Sequence, residues 1–165
     1  MTEPKVLQVR GTMRPTKAGR QLRGLKLYEK GLHFAAAGQL LQRHNGNGLV
    51  VHHLFCQALE LLLKGLLIVK NDDVTKEELQ NLGHKLGKLA RRVRKEYGMR
   101  ALSESAAAEL KQLTREFSSH ELRYGSIRDI LMGTAIDPQN RLRRKVFAIA
   151  RLAERHLPAV RASVE

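Results

Sequence analysis

One cysteine, no tryptophan and few aromatic residues of any kind leave this sequence short of several things that common protein classes need. The lone Cys56 has no partner for an intramolecular disulfide and sits in an apolar stretch, which suits a reducing compartment and makes the cytoplasm the expected location. With aromatics at 4%, the chain offers no platform on which successive single-stranded bases would stack. Runs of β-branched and aromatic residues are nearly absent, and prolines number four, so the composition points to an all-α protein. The first fourteen residues mix charges and hold no continuous apolar stretch of the signal-peptide kind. The longest apolar run, Leu54 to Val69, is interrupted by Gln57, Glu60 and Lys64, which predicts a core helix and not a membrane span. Neither secretion nor membrane insertion is expected.

Metal and phosphate-loop signals are missing as well. His52 and Cys56 stand one helical turn apart beside His53, but a closed zinc site wants four ligands and no second pair stands at ligand spacing. Gly46 and Gly48 are not followed by the Lys-Ser/Thr pair of a phosphate loop. No metal or other cofactor is expected. Acidic residues are the last shortage: 16 Asp and Glu face 30 Lys and Arg, a net charge of +14 that favours a polyanionic partner, RNA above all.

What is present is helical periodicity. A length of 165 residues suits one domain. Residues 1–17, with Pro4, Gly11 and Pro15 among basic residues, read as a flexible basic arm, and 18–165 as a single helical domain. The spacing of Leu22, Leu25, Tyr28, Leu32, Ala35, Ala36 and Leu40 predicts a long amphipathic helix from Ala18 to His44. Asn45-Gly46-Asn47-Gly48 then turns the chain back, since Asn and Gly tolerate the left-handed conformation. Leu49 to Lys70 is apolar almost all round and predicts the central helix of a bundle.

Thr75 and Glu78 have capping-box spacing for a short helix over Lys76 to Leu82. Lys85 to Tyr97 predicts a basic helix with Leu86, Leu89, Ala90 and Val93 inward. Ser103 caps a further helix to about Phe117, with Ala106, Ala107, Leu110 and Leu113 as its buried stripe. Asp137-Pro138 starts a last helix that runs to about His156. The expected fold is an up-and-down bundle of about five helices plus a short connector.

Two polar features stand out against this apolar frame. Glu60 and Lys64 are four apart in the favourable order for a helical ion pair, on the helix least able to leave charges unsatisfied. His84 sits at or just before a helix start, where it can cap that helix or bond back to the preceding one.

The ordered set of Gln57-Ala58 with Glu60 and Lys64, then Gly83-His84 with Leu86 and Leu89, then Leu122-Arg123-Tyr124-Gly125 resembles the HEPN domain family, over about Leu32 to Gly125. That resemblance implies a helical bundle, usually homodimeric, found in toxin–antitoxin and defence systems or beside a nucleotidyltransferase. Glu60, Lys64, His84, Arg123 and Tyr124 would be its structural motif. The catalytic branch of the family looks like a metal-independent endoribonuclease with an Arg, four to six intervening residues, and then a His. Such a His would move the proton of the ribose 2′-hydroxyl or of the leaving oxygen, and the Arg would stabilise the phosphorane.

Two pairs here have that form, Arg115 with His120 and Arg151 with His156, and the position within the family favours the first. Glu116 stands where that branch has a small polar residue. Phosphate contacts are expected from Lys85, Lys88, Arg91, Arg92, Arg94 and Lys95 on the fourth helix, joined by Arg123 and Arg128. The leading expectation is thus an RNA-associated module with a possible ribonuclease activity. A different class stays open beside it: a non-catalytic dimeric subunit that serves a nucleotidyltransferase or antitoxin partner.

Overall fold

The computed structural model describes residues 16–71, 73–118 and 141–156. Among these it has no strand and six helices: α1 (Lys17–Arg43), α2 (Gly48–Lys70), α3 (Lys76–Leu82), α4 (Leu86–Glu96), α5 (Glu104–Ser118) and α6 (Arg141–His156). The architecture is the all-α bundle that the composition and periodicity predict.

Helix α2 is the axis of the bundle and packs against α1, α4, α5 and α6. Its Leu59, Leu62, Leu63, Leu66 and Leu67 are almost wholly buried, as is Cys56. Each such leucine contributes about 1.5–3 kcal/mol of burial free energy relative to an exposed one. By length and composition α2 would cross a membrane, but 78% of its most apolar window lies inside the protein, covered by the neighbouring helices.

The helix ends follow from their residues. Thr16 and Asn47 cap α1 and α2 by accepting hydrogen bonds from Gly19 N–H and from Leu49 and Val50 N–H. Thr75 and Glu78 form the reciprocal capping box on α3. Asn45, at φ 53°, closes α1: its N–H donates to Gln42 O and that of Gly46 to Leu41 O, the paired bonds of a left-handed helix stop.

The seam between α1 and α2 differs from the predicted leucine stripe. Leu22 and Leu40 are 42% and 59% exposed, and Ala36 is exposed too. The buried face of α1 is Gly24, Leu25, Tyr28, Gly31, Ala35 and Gly38. Three glycines seven residues apart lie on one line of the helix, and each meets α2 at close range: Gly24 beside Gly65 and Val69, Gly31 beside Leu62, Gly38 beside Leu54 and Phe55. The rising and falling numbers make the pair antiparallel. A larger side chain on that line would hold the two backbones apart, so the apolar leucines are displaced to the flanks.

The alternation continues through the short helix. His84, just after α3, lies beside Glu60, and Tyr97, just after α4, donates its hydroxyl to Leu66 O at 3.0 Å, so α4 runs in the same direction as α2 and α3 supplies the return stroke. Helix α5 then runs antiparallel to α4, with Thr114 near Gly87 and Phe117 near His84. On α4 the predicted inward residues Leu86, Leu89, Ala90 and Val93 are all buried. On α5 Leu110 and Phe117 are buried, while Ala107 is exposed, contrary to the predicted stripe. Ala107 borders a groove instead.

Candidate nucleic-acid interface

The Glu60 carboxylate is 3% exposed in the centre of the bundle and accepts one bond on each oxygen. Lys64 Nζ donates to Oε1 at 2.6 Å, and His84 Nδ1 lies 2.8 Å from Oε2. A carboxylate can only accept, so Nδ1 carries the hydrogen in this pairing. Neither donor is as buried as the acid: side-chain exposure is 16% for Lys64 and 40% for His84. Helical spacing brings Lys64 over Glu60, and the turn at Gly83 brings His84. Gly83 has φ 47° and ψ −133°, a backbone conformation open in practice to glycine alone, and it swings the chain from α3 back toward α2.

Phe117, near the end of α5, packs edge-on against the His84 ring at 5.1 Å and tilted against the His53 ring at 5.6 Å. The cluster therefore ties α2, the α3–α4 turn and α5 together. His84 does not cap α4, whose N-terminus at Lys85 has no side-chain cap. The burial of the acid makes the Glu60–Lys64 bridge an internal one.

Beside this cluster α4 and α5 enclose an open groove of about 400 Å³. Leu102, Ala107 and Ala108 are its apolar lining, and its cations are Lys85, the N-cap of α4, Lys88 and Arg91 from α4, and Lys111 from α5. Among the described residues no acidic side chain lines it. Small residues on both walls, Gly87 on α4 and Ala107 and Ala108 on α5, leave space between the cations. Lys85, Lys88 and Arg91 follow one another at three-residue steps, about 4.5 Å each along the helix axis, and so form one row.

The other predicted cations divide by their surroundings. Arg92 pairs with Glu96 at 3.0 Å, and the Arg94 guanidinium donates to Arg100 O at 2.6 Å. Lys95 is exposed one turn past Arg91. Arg115, in the last turn of α5, is exposed and follows Lys111 by four residues, which continues the same face. Lys111 was not among the residues that the charge pattern singles out; small residues beside it in the sequence, Ala107 and Ala108, are the signal that would find it. The predicted residues His120, Arg123, Tyr124 and Arg128 lie outside the described residues, as do the start signal Asp137-Pro138 and residues 1–15.

On the far side of α5, Glu109 bonds to Lys145 and pairs with Arg141 at 3.4 Å, fastening α6. The hydrogen bond from Lys145 is the main reason that its carboxyl titrates below the usual range. Burial pushes the Tyr97 hydroxyl up to about 12, and Lys70 Nζ sits 5.6 Å from the centre of its ring.

Among the described residues no three His, Cys, Asp or Glu side chains gather where they would hold a metal ion. Compared with models of protein families, with curated proteins and with solved structures, the chain matches none, so what the groove and the charge cluster do has to be argued from their own geometry.

Proposed function

We propose that this protein is an RNA-binding helical module of the HEPN kind that grips the phosphate backbone in the groove between α4 and α5. The observation that carries this reading is the groove itself: Lys85, Lys88, Arg91 and Lys111 from both walls line one concave strip with no acid among its described lining residues, in a chain of net charge +14. Dispersed surface charge would leave acids interleaved with bases. The buried Glu60–Lys64–His84 cluster fixes the turn from which α4 starts and so sets where the row of cations points.

The test is binding of a fluorescent RNA at low salt to the parent and to a Lys85→Gln, Lys88→Gln, Lys111→Gln variant. Loss of most binding is expected, with little change for Arg92→Gln, whose guanidinium already pairs with Glu96. Equal binding by parent and triple variant would refute the assignment of the groove.

A second component, cleavage of the bound RNA, is favoured by one observation: Arg115 extends the groove's cationic face by one turn beyond Lys111. In this reading Arg115 and His120 act without metal on the ribose 2′-hydroxyl and the adjacent phosphate. Cleavage of an RNA mixture in the presence of a chelator, lost in both Arg115→Ala and His120→Ala, is the expected result. Binding with no cleavage under any condition leaves the non-catalytic role, service to a nucleotidyltransferase or antitoxin partner in a cytoplasmic homodimer.

A further inference from the structure

The groove's hydrogen-bonding groups narrow the kind of nucleic acid it would take. We infer, resting on the RNA-binding reading above, that the cations of the α4–α5 groove dock onto the phosphate backbone of a double-stranded RNA that lies across the groove, and read no base. Among the described residues Thr114 is the one lining side chain with a neutral hydrogen-bonding group, and it is engaged within the protein. Its hydroxyl donates to Leu110 O at 2.6 Å and accepts from Gly87 N–H at 3.4 Å. The Arg91 Nε–H is directed to Gly87 O at 3.2 Å, which turns that guanidinium along α4. Ligand recognition in the groove therefore falls to charge, and charge recognises phosphates.

Stacking is missing too among the described residues. None of their aromatic side chains lines the groove, Phe117 is 1% exposed, and the exposed ring of Phe147 is on α6, beside the Arg143 guanidinium. Single-stranded RNA bound to proteins gains about 1–3 kcal/mol per base from stacking on such rings. A single strand entering this groove would lose its conformational freedom without that return. A duplex arrives with its bases already stacked on one another and its phosphates already spaced, so it loses far less order on binding. The cations match that rigidity, because they are held on two helices tied together by packing and by the Thr114–Gly87 contact.

The experiment compares a duplex RNA of about 20 base pairs with each of its single strands, in two unrelated sequences, by fluorescence anisotropy over a salt series. Duplex binding at least about tenfold tighter than either strand is expected, equal for both sequences. With four cations engaged, the slope of log affinity against log salt on the duplex should be near −3.6, a loss of about 150-fold between 50 and 200 mM. Lys85→Gln and Lys88→Gln should each reduce that slope by about 0.9 and weaken both sequences alike. Preference for a single strand, or a preference between the two sequences, overturns the inference while leaving RNA binding intact. Failure to bind any of the RNAs at low salt overturns the RNA reading itself.

Discussion

Adding one methyl group at Gly65 should loosen the bundle at its tightest seam. A Cβ there would lie 2.8 Å from Gly24 O, 3.0 Å from Tyr28 N and 3.2 Å from Tyr28 Cβ. The two nearest of these are backbone atoms, which cannot rotate away, so α1 and α2 must separate. Overpacking of this kind costs about 1–3 kcal/mol, and rigid backbone places it near the upper end. The replacement of Gly by Ala within a helix returns up to about 1 kcal/mol. A net loss of about 2 kcal/mol for Gly65→Ala corresponds to a fall in Tm of about 4–8 °C for a chain of this size.

Four companion substitutions set the scale. Gly24→Ala and Gly31→Ala place a Cβ 2.9 Å from Val69 and Leu62 side-chain atoms, with the nearest backbone atoms, Gly65 O and Leu62 N, at 3.1 Å against 2.8 Å at Gly65, and should cost less. Gly38→Ala meets only the Phe55 ring and Leu54 at 3.3–3.4 Å and should be close to neutral. Gly87→Ala finds nothing nearer than 3.7 Å and should raise Tm by about 1–3 °C. Calorimetric or circular-dichroism melting of the five variants checks the order. An unchanged or raised Tm for Gly65→Ala would refute the close-approach argument.

Glu60→Ala should cost about 2–4 kcal/mol in urea unfolding, because it removes two charge-assisted bonds and leaves Lys64 unpaired, and Glu60→Gln should cost less. If Glu60→Ala is no worse than Glu77→Ala on the exposed first turn of α3, the buried bridge is not stabilising. Gly83→Ala places a side chain at φ 47°, ψ −133° and should cost about 1–3 kcal/mol; a neutral result would mean that the turn can relax without losing the His84–Glu60 bond. Tyr97 has a folded-state pKa raised to about 12 from 10, so its contribution is whole below pH 10 and is lost as pH rises from 10 to 12. Tyr97→Phe should be about 1 kcal/mol less stable at neutral pH and should show less alkaline loss over that window; an identical alkaline profile would exclude Tyr97 as its source. Glu109 has a depressed pKa, so its support for α6 is present above the ordinary carboxylate range and is lost as pH falls through the folded value. Lys145→Ala should flatten that acid limb of a stability–pH curve, and added salt should do the same; a limb untouched by either would place the loss elsewhere.

The helices were legible because their signals are local. Thr75 with Glu78, Asn45 before Gly46, and the long, nearly all-apolar run of α2 each fix an end or a face within a few residues, and the structure places them where the pattern does. The α1 seam was not legible from hydrophobicity, because glycine scores as nothing on an apolar scale while allowing the closest approach of two backbones; the seven-residue spacing of Gly24, Gly31 and Gly38 carried the information. The Glu60–Lys64 pair was visible from its spacing, and His84 as a candidate partner, but its bond to the carboxylate depends on Gly83 reversing the chain, which is a tertiary fact. Only half of the groove was readable, since Lys85, Lys88 and Arg91 share a helix but Lys111 joins them from another. The Arg–His spacing was least informative: with 18 Arg and 7 His, about two such pairs arise by chance in 165 residues, as many as are seen.

Cys56 lies at the middle of α2 with no exposed surface, and it is the sole thiol in the chain. Thiol reagents can reach it only when the helices around it part. The rate of its chemical labelling is therefore a clock for the opening of the bundle core. In the regime where closing outpaces labelling, the ratio of that rate to the rate on an unfolded chain gives the free energy of opening directly, with no engineered probe. A ligand that spans α4 and α5 should slow the clock in proportion to the population it binds, so the native sequence carries its own reporter for both the seam and the groove.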